Sequence, residues 1–95
     1  MGTETTDHSG HRSRLRKRLL DGGAEALLDH ELVEYLLALA LPRRDTKPLS
    51  KALIARFGSY AGVLAASPQE LASVGELSEG CIAALKIAQA SALRL

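Results

Sequence analysis

The sequence predicts an all-α fold, a compact bundle of five to six short helices whose second half forms tandem helical hairpins. The chain has 95 residues, the size of one small domain. Apolar residues make up 46% of it and are mainly Leu and Ala, which form helices well, whereas aromatic residues make up only 3%. No stretch sustains an alternation of apolar and polar residues and no Asn-Gly turn occurs, so nothing indicates a β-strand.

The N-terminal part of the chain predicts a tail followed by a helix. Residues 1–9 are polar and lack periodicity, which predicts a disordered tail before a helical domain over residues 10–95. The first helix is expected over residues 10–20, with Ser9 as its N-cap and Leu15 facing the core.

The middle of the chain predicts two further helices. Asp29 is expected to cap the second helix, because an acidic side chain there accepts hydrogen bonds from the first turn, and Pro42 ends it. Thr46 is expected to cap the third helix, which Gly58 terminates. The second helix carries a wide apolar stripe that should face the core, formed by Leu32, Val33, Leu36, Leu37 and Ala40.

Serine caps mark the helices of the second half. Ser59 is expected to start the fourth helix, and Ser67 forms a capping box with Glu70 at the start of the fifth, over residues 68–74. The sixth helix is expected from Glu79 to the C-terminus. One face of it is apolar and should be buried, with Cys81, Leu85, Ala88, Ala92 and Leu95.

The charges lie in blocks that alternate in sign, although the net charge is only +1. Residues 11–18 and 43–56 are basic, and residues 21–34 between them are acidic. The blocks either pair with one another in the fold or form two basic patches around an acidic one. A net charge this small excludes a basic field over the whole molecule.

The composition favours a cytoplasmic protein without a membrane partner. Cys81 is the only cysteine, so no disulfide can form within the chain. The N-terminus lacks the apolar core of a signal peptide. The longest apolar run, residues 35–42, is too short to span a bilayer.

No catalytic, metal or cofactor site is expected in this chain, and it is not expected to be an enzyme. The only histidines are His8, His11 and His30, and zinc sites need three or four converging ligands. Cys81 lies within an apolar helical stripe, which indicates a buried structural thiol. The serines are placed as helix caps, and no Gly-rich loop matches a phosphate-binding motif.

Nucleic-acid binding is the function that the hairpins favour. The turn "FGS", residues 57–59, has Gly58 for close approach and Ser59 as a cap and donor, with Lys51 and Arg56 nearby. The free N–H groups and the dipole of a helix N-terminus suit a phosphate, which predicts weak DNA binding without base reading. The alternative is that Gly58 only ends a helix and the cations are solvated.

The first helix offers a second basic surface for DNA. Reversing the charge of Arg14 and Arg18 together should lower DNA affinity if this helix binds phosphates. The alternative is a solvated helix that pairs with the acidic block. The cations of this helix are Arg12, Arg14, Arg16, Lys17 and Arg18.

The stretch "SVGELSEG", residues 73–80, outlines a further hairpin with a weaker phosphate signal. Gly75 and Ser78 are candidate DNA contacts at its turn. Glu76 and Glu79 place negative charge where a phosphate would lie, although Glu79 suits the dipole of the following helix. Packing is therefore the expected main role of this hairpin.

Four motifs carry a family resemblance: "HRSRLRKRLL", "LLDHELVEYLL", "PRRDTKPLSKALIARFGS" and "VLAASPQEL". With them the chain resembles, over residues 11–95, the N-terminal domain of bacterial RadC-like DNA repair proteins. The resemblance implies a helix-hairpin-helix domain. Full-length members carry a C-terminal JAMM/MPN metallohydrolase-like domain, whose His-x-His zinc motif is absent from this chain.

The chain departs from the family at its last hairpin. Related domains usually read Val-x-Gly-Leu-Gly, where residues 74–78 read "VGELS". Glu76 and Ser78 thus replace both motif glycines, while Val74 and Leu77 keep the apolar positions. The resemblance therefore implies that the hairpin shape is kept and its grip on phosphate is weakened.

A protein-interaction or positioning module is the alternative function. The domain would dock onto a JAMM catalytic domain that is not part of this chain, or onto a repair or replication partner. The acidic block, residues 21–34, and the apolar second helix would form the interface. Exposed apolar surface on that helix would then appear as self-association or dye binding.

Overall fold

The computed structural model describes the backbone of residues 3–95 and the side chains from residue 10 onward. Every regular element in this range is helical, which confirms the all-α prediction, and none of these residues forms a strand. The elements are α1 (Thr3–Gly22), a 3-10 helix (Ala24–Ala26), α2 (Asp29–Ala40), α3 (Lys47–Phe57), α4 (Tyr60–Ala65), α5 (Pro68–Ala72) and α6 (Glu79–Arg94).

The helix α2 lies at the centre of the bundle and packs against α1, α3, α4 and α6. Its position explains the wide apolar stripe, because a helix with neighbours on several sides needs apolar residues over more than one face. Val33 and Leu37 of α2 are fully buried, and Leu32 and Leu36 are partly exposed. The buried core around α2 is completed by Leu49, Leu53, Val63, Leu64, Ala66, Leu71, Cys81 and Leu85.

The first helix is longer than the sequence predicts. It begins at Thr3, so the expected N-cap Ser9 lies inside it, and residues 3–9 of the predicted disordered tail are helical. No glycine or proline stands between Thr3 and Gly10 to stop the helix. The tail prediction for residues 1–2 lies outside the described residues, and the domain boundary at residue 10 stays a prediction.

Asp29 and Thr46, two side chains that were predicted to cap helices, make other hydrogen bonds instead. Asp29 does not cap α2; Glu31 does, its Oε1 accepting the Leu28 N–H at 2.9 Å. Thr46 precedes α3, but its hydroxyl donates to the backbone oxygen of Glu34 at 2.8 Å, and Asp45 accepts the Lys47 N–H at 3.0 Å. Both predictions are wrong, because neither the Asp29 nor the Thr46 side chain accepts a hydrogen bond from the first turn of its helix. Each side chain instead bonds to a group that is distant in sequence.

The serine caps of the second half are confirmed. Ser59 Oγ accepts the Gly62 N–H at 3.0 Å, and Ser78 Oγ accepts the Cys81 N–H at 3.2 Å. Ser67 and Glu70 form the complete capping box of α5. This helix stops at Ala72, two residues before the predicted end at 74, because the next amides turn back onto nearer carbonyls.

A close approach of backbones joins α3 to α4. A Cβ on Gly62 would lie 2.2 Å from the backbone oxygen of Phe57, a distance that no real contact reaches. Only glycine therefore fits at this position. Gly62 was not among the residues that the sequence singled out, because nothing local marks a glycine that faces another helix.

The apolar face of α6 extends past the core. Cys81 and Leu85 are buried as predicted, and Ala88 packs against the core from its edge. Ala92 and Leu95 are exposed, which contradicts their predicted burial. The last turns of α6 have no neighbouring element to cover them among the described residues.

None of the helices within residues 3–95 is long and apolar enough to cross a membrane.

Candidate nucleic-acid interface

Arg12 joins α1 to the C-terminal end of α2 through hydrogen bonds. Its guanidinium donates to the backbone oxygens of Leu41 at 3.3 Å and of Pro42 at 2.5 Å, and also to that of Arg44. A cation at the C-terminal end of a helix satisfies carbonyls that lack a helical partner and suits the dipole. Arg12 therefore serves the fold, and the DNA role predicted for it stays without structural support.

Arg18 and Lys17 face the acidic block. Arg18 bonds both carboxylate oxygens of Glu31, at 3.0 and 2.9 Å, and donates to the Ala26 oxygen at 2.8 Å. This hydrogen-bonded pair lowers the pKa of Glu31 and raises the pKa of Arg18. Lys17 pairs with Asp21, 2.9 Å away.

Arg14 and Arg16 are the outward cations of α1. Both are exposed, and no ion pair joins either to another described side chain. Arg16 donates to Ser13 Oγ at 3.2 Å, a contact within its own helix. Of the five cations that the sequence groups together, these two neither pair with a described acid nor bond to another element of the described chain.

Several acids of the acidic block have partners in the chain. Asp21 pairs with Lys17 within α1, and Glu31 pairs with Arg18 of α1. Asp29 accepts the Tyr60 N–H at the hairpin of α3 and α4. Val33 and Leu37 of the apolar stripe are core residues. The first basic block pairs in part with the acidic block, whereas the basic block of residues 43–56 makes no ion pair with it among the described residues.

The surface predicted for a docking module is partly exposed: Leu28 and Leu39 are 63% and 68% exposed, whereas Val33 and Leu37 are buried. The docking role stays a prediction.

One member of the acidic block, Glu34, is buried against a histidine. Its side chain is 2% exposed, and its Oε2 lies 3.0 Å from Nε2 of His11 on α1. Neither Oε1 of Glu34 nor Nε2 of His11 has a partner with hydrogen-bond geometry within the described chain. Buried polar atoms without partners are costly, so this contact between α1 and α2 is a weak point of the packing.

The first hairpin, α3–α4, closes its turn on the rest of the chain. Gly58 has φ +91° and its N–H donates to the Ile54 oxygen at 2.7 Å, while the Ser59 hydroxyl caps α4. The Tyr60 N–H, at the start of α4, donates to Oδ2 of Asp29 at 2.9 Å. A carboxylate of the chain itself thus occupies the place expected for a phosphate.

Lys51 and Arg56 are exposed on α3, as the sequence predicts. The guanidinium of Arg56 lies 5.2 Å from the centroid of the Phe57 ring, at cation–π distance. Its charge also helps to lower the pKa of Glu70, after the larger effects of hydrogen bonds from Ser67. Arg56 therefore faces α5, whereas no ion pair joins Lys51 to a described acidic group.

The second hairpin, α5–α6, has a turn with two successive left-handed residues. Gly75 has φ +85° and Glu76 has φ +61°. A non-glycine residue pays about 1–2 kcal/mol for this conformation. The family resemblance places a glycine at the position of Glu76, and the φ of Glu76 lies in the region that favours glycine.

The amides of the second turn are free of intramolecular acceptors. Within the described chain no hydrogen bond engages the backbone N–H groups of residues 76–80, and the Ser78 hydroxyl serves only the Cys81 N–H. Such a row of N–H groups before a long helix suits an anion. Glu76 and Glu79 are both exposed beside it and oppose the anion by charge.

One cation at this turn, Arg44, was not among the predicted site residues. It lies 3.4 Å from Glu76 and joins the linker between α2 and α3 to the second turn, and Arg43 and Lys47, close to it in sequence, are exposed. We call Arg43, Arg44, Lys47 and Lys51 the basic rim. The sequence marks residues 43–56 as basic, but it does not show that Arg44 of this block contacts the second hairpin.

No group of three or more metal-binding side chains converges among the residues described. The expectation of no metal, no cofactor and no catalytic residue remains a prediction.

The fold and site describe a small helical domain with two hairpins, one of them open at its turn. The chain is 51% identical over 81 residues to a UPF0758 protein of Rhodobacter capsulatus, covering 85% of this chain. It is 47% identical over 85 residues to a UPF0758 protein of Ruegeria pomeroyi, covering 90% of this chain. UPF0758 proteins form the RadC family, so these relatives support the resemblance drawn from the motifs.

The chain spans 38% of the length of each of these relatives. No protein-family model matches it, and no solved structure does. The similarity is therefore to one part of the relatives.

Proposed function

We propose that the chain is a RadC-like helix-hairpin-helix domain that binds DNA weakly through backbone phosphates and without sequence specificity. The observation that carries this proposal is the second hairpin, where the free amides of residues 76–80 lie beside the basic rim. Amides and cations together provide the two kinds of donor that phosphates receive in nucleic-acid complexes.

The proposal moves the contact from the first hairpin to the second. In the first hairpin Asp29 already holds the Tyr60 N–H at 2.9 Å, and an incoming phosphate would have to displace it. In the second hairpin no described acceptor stands in the way. The nearby Glu76 and Glu79 reduce the attraction, which agrees with weak binding.

The cations of α1 play a smaller part in this proposal. Arg12 and Arg18 hold α1 to the body of the domain, so they are positioning residues. Arg14 and Arg16 have free charges and add a general attraction for DNA, which salt screens within about 10 Å at 0.1 M.

The test compares two double charge reversals by fluorescence anisotropy with a short labelled duplex at low salt. Lys47→Glu with Lys51→Glu should lower affinity by about tenfold or more and reduce the salt slope by roughly 2, because two phosphate contacts are lost. Arg14→Glu with Arg16→Glu, the matched control, should have the smaller effect. Unchanged affinity in the Lys47 and Lys51 variant, or no duplex binding by the unaltered domain, contradicts the proposal.

A docking module is the second candidate, favoured by the end of α6. Ile87, Leu93 and Leu95 are large apolar side chains that are exposed there. Replacing Ile87 and Leu93 by Ser should abolish any self-association of the isolated domain in sedimentation experiments, without changing duplex affinity. A monomeric unaltered domain that binds no apolar dye would count against this candidate.

A further inference from the structure

A narrow groove runs between α3 and the turn of the second hairpin. Its volume is about 200 Å³, and one wall is formed by Pro48, Leu49 and Ala52 of α3 and the other by Val74, Gly75 and Glu76. Apart from the Glu76 carboxylate, all lining side chains are apolar or absent. The groove is thus an apolar slot open to solvent, a place that favours a flat apolar group.

The slot is continuous with the proposed phosphate contact. Glu76 lines the slot and also begins the row of free amides, so the two features share a residue. Lys51 directly precedes Ala52 on α3 and is exposed. Arg44, 3.4 Å from Glu76, holds that carboxylate at the edge.

This arrangement suits one chemical unit, a nucleotide with its phosphate on the amides and its base in the slot. In a duplex the bases are stacked and paired, so a hairpin that touches the backbone leaves the slot empty. An unpaired nucleotide can rotate its base away from its neighbours and bury its faces against apolar side chains.

We infer that the α3 groove receives the base of an unpaired nucleotide, so that the domain prefers single-stranded or locally unpaired DNA to intact duplex. This inference rests on the proposed function, since the phosphate contact brings the base to the slot. An apolar side chain of a protein is the other occupant that the slot would fit, but the flanking amides and Lys51 favour an anionic ligand.

The test uses labelled oligonucleotides of equal length: a single strand, the same strand with abasic sites in place of all but its terminal nucleotides, and the matching duplex. The unaltered domain should bind the single strand about fivefold more tightly than the abasic strand, the low end of what a stacked base contributes. The variant Ala52→Leu fills the slot and should bind both strands equally, with duplex affinity unchanged. Ala55→Leu is the matched control, because Ala55 is exposed on α3 but does not line the slot.

The two proposals fail in different ways in this experiment. Equal binding of the single and abasic strands by the unaltered domain, or an undiminished preference in Ala52→Leu, overturns the base slot while duplex binding leaves the proposed function standing. Absence of all three complexes at low salt overturns both. Circular dichroism of both leucine variants shows whether the helices are intact, and neither alanine lies in the core.

Discussion

The first hairpin has acceptors for part of its turn, although its Ser59 and Ala61 amides have none within the described chain, whereas the second hairpin leaves five successive turn amides without acceptors. In the first, Ser59 and Asp29 take the amides of Gly62 and Tyr60. In the second, Ser78 caps α6, but residues 76–80 keep their amides free within the described chain. The comparison teaches that two helices joined by a turn do not by themselves identify a phosphate site. Whether the backbone N–H groups of the turn already have acceptors within the chain determines whether they are available to a phosphate.

The hairpins also differ in where each depends on glycine. The first needs glycine inside its second helix, because Gly62 faces the Phe57 oxygen. The second needs left-handed backbone in its turn and places Glu76 there, at φ +61°. Gly62 in the first hairpin therefore allows two helices to lie close together, and the second hairpin carries backbone strain at its turn.

The largest expected effect on stability comes from substituting Gly62 in α4, which is compared with Gly80 in α6. Gly62→Ala should destabilise the domain by about 3 kcal/mol, because the new methyl group collides with backbone. Gly80→Ala is the matched change in α6, where a Cβ would lie 3.7 Å from Ser78 Oγ in ordinary contact. It should be neutral or stabilising by about 0.5 kcal/mol. Urea unfolding measures both, and equal effects would contradict the difference in packing.

The next effect tests the carboxylate in the first turn. Asp29→Ala removes the acceptor of the Tyr60 N–H and should cost about 1.5 kcal/mol, the usual size for a hydrogen bond to a charged group. Asp21→Ala, which removes an exposed pair with Lys17 on α1, should cost at most about 0.5 kcal/mol. If the two variants unfold at the same urea concentration, the hydrogen bond between Asp29 and the Tyr60 N–H does not stabilise this hairpin.

A gain of stability is expected from the second turn. Glu76→Gly gives the left-handed position a residue that adopts it freely and should stabilise the domain by about 1 kcal/mol. Glu76→Gln keeps the strain while removing the charge, so its stability should stay within about 0.5 kcal/mol of the unaltered domain. Both variants should bind duplex DNA more tightly, because each removes a negative charge beside the amides. Lower stability in the glycine variant would refute the strain at this turn.

The smallest expected effect is the loss of stability at low pH when Glu70 becomes protonated. Hydrogen bonds from Ser67 lower the pKa of Glu70, so the charged form is favoured in the folded state. The stability from this cap is therefore fully present above the ordinary glutamate pKa of about 4.3 and is lost as pH falls through the lowered value. The protection factors of the amides at residues 67–72, which correct for the intrinsic pH dependence of exchange, should fall in this window, and Glu70→Gln should remove that fall. Equal acid sensitivity in both proteins would show that another group is responsible.

The sequence predicted the elements of the fold well where local chemistry decides. Ser59, Ser67 and Ser78 cap helices as predicted, because a serine before a helix meets its own next turn. Asp29 and Thr46 were assigned the same role and instead bind partners distant in sequence, Tyr60 and Glu34. Local pattern cannot show which acceptor a side chain reaches after the helices pack.

The candidate site was predicted only in part for the same reason. Gly75 and Ser78 lie at the open turn for which the sequence suggested them as DNA contacts, whereas Lys51 was assigned to the first hairpin. Their DNA role stays a prediction. Arg12 and Arg18 were grouped with them by composition, yet both serve the contact between α1 and α2. Charge blocks reveal how many cations are present, whereas their free charges depend on which acids the fold brings beside them.

One measurement tests the central claim most directly: an NMR titration of the labelled domain with a short duplex at low salt and then at moderate salt. The account predicts amide shifts over residues 43–51 and 75–80 that fade as salt rises, with little change over residues 58–62. Shifts concentrated at residues 58–62 with a silent second turn would contradict it, as would the absence of any shift at low salt.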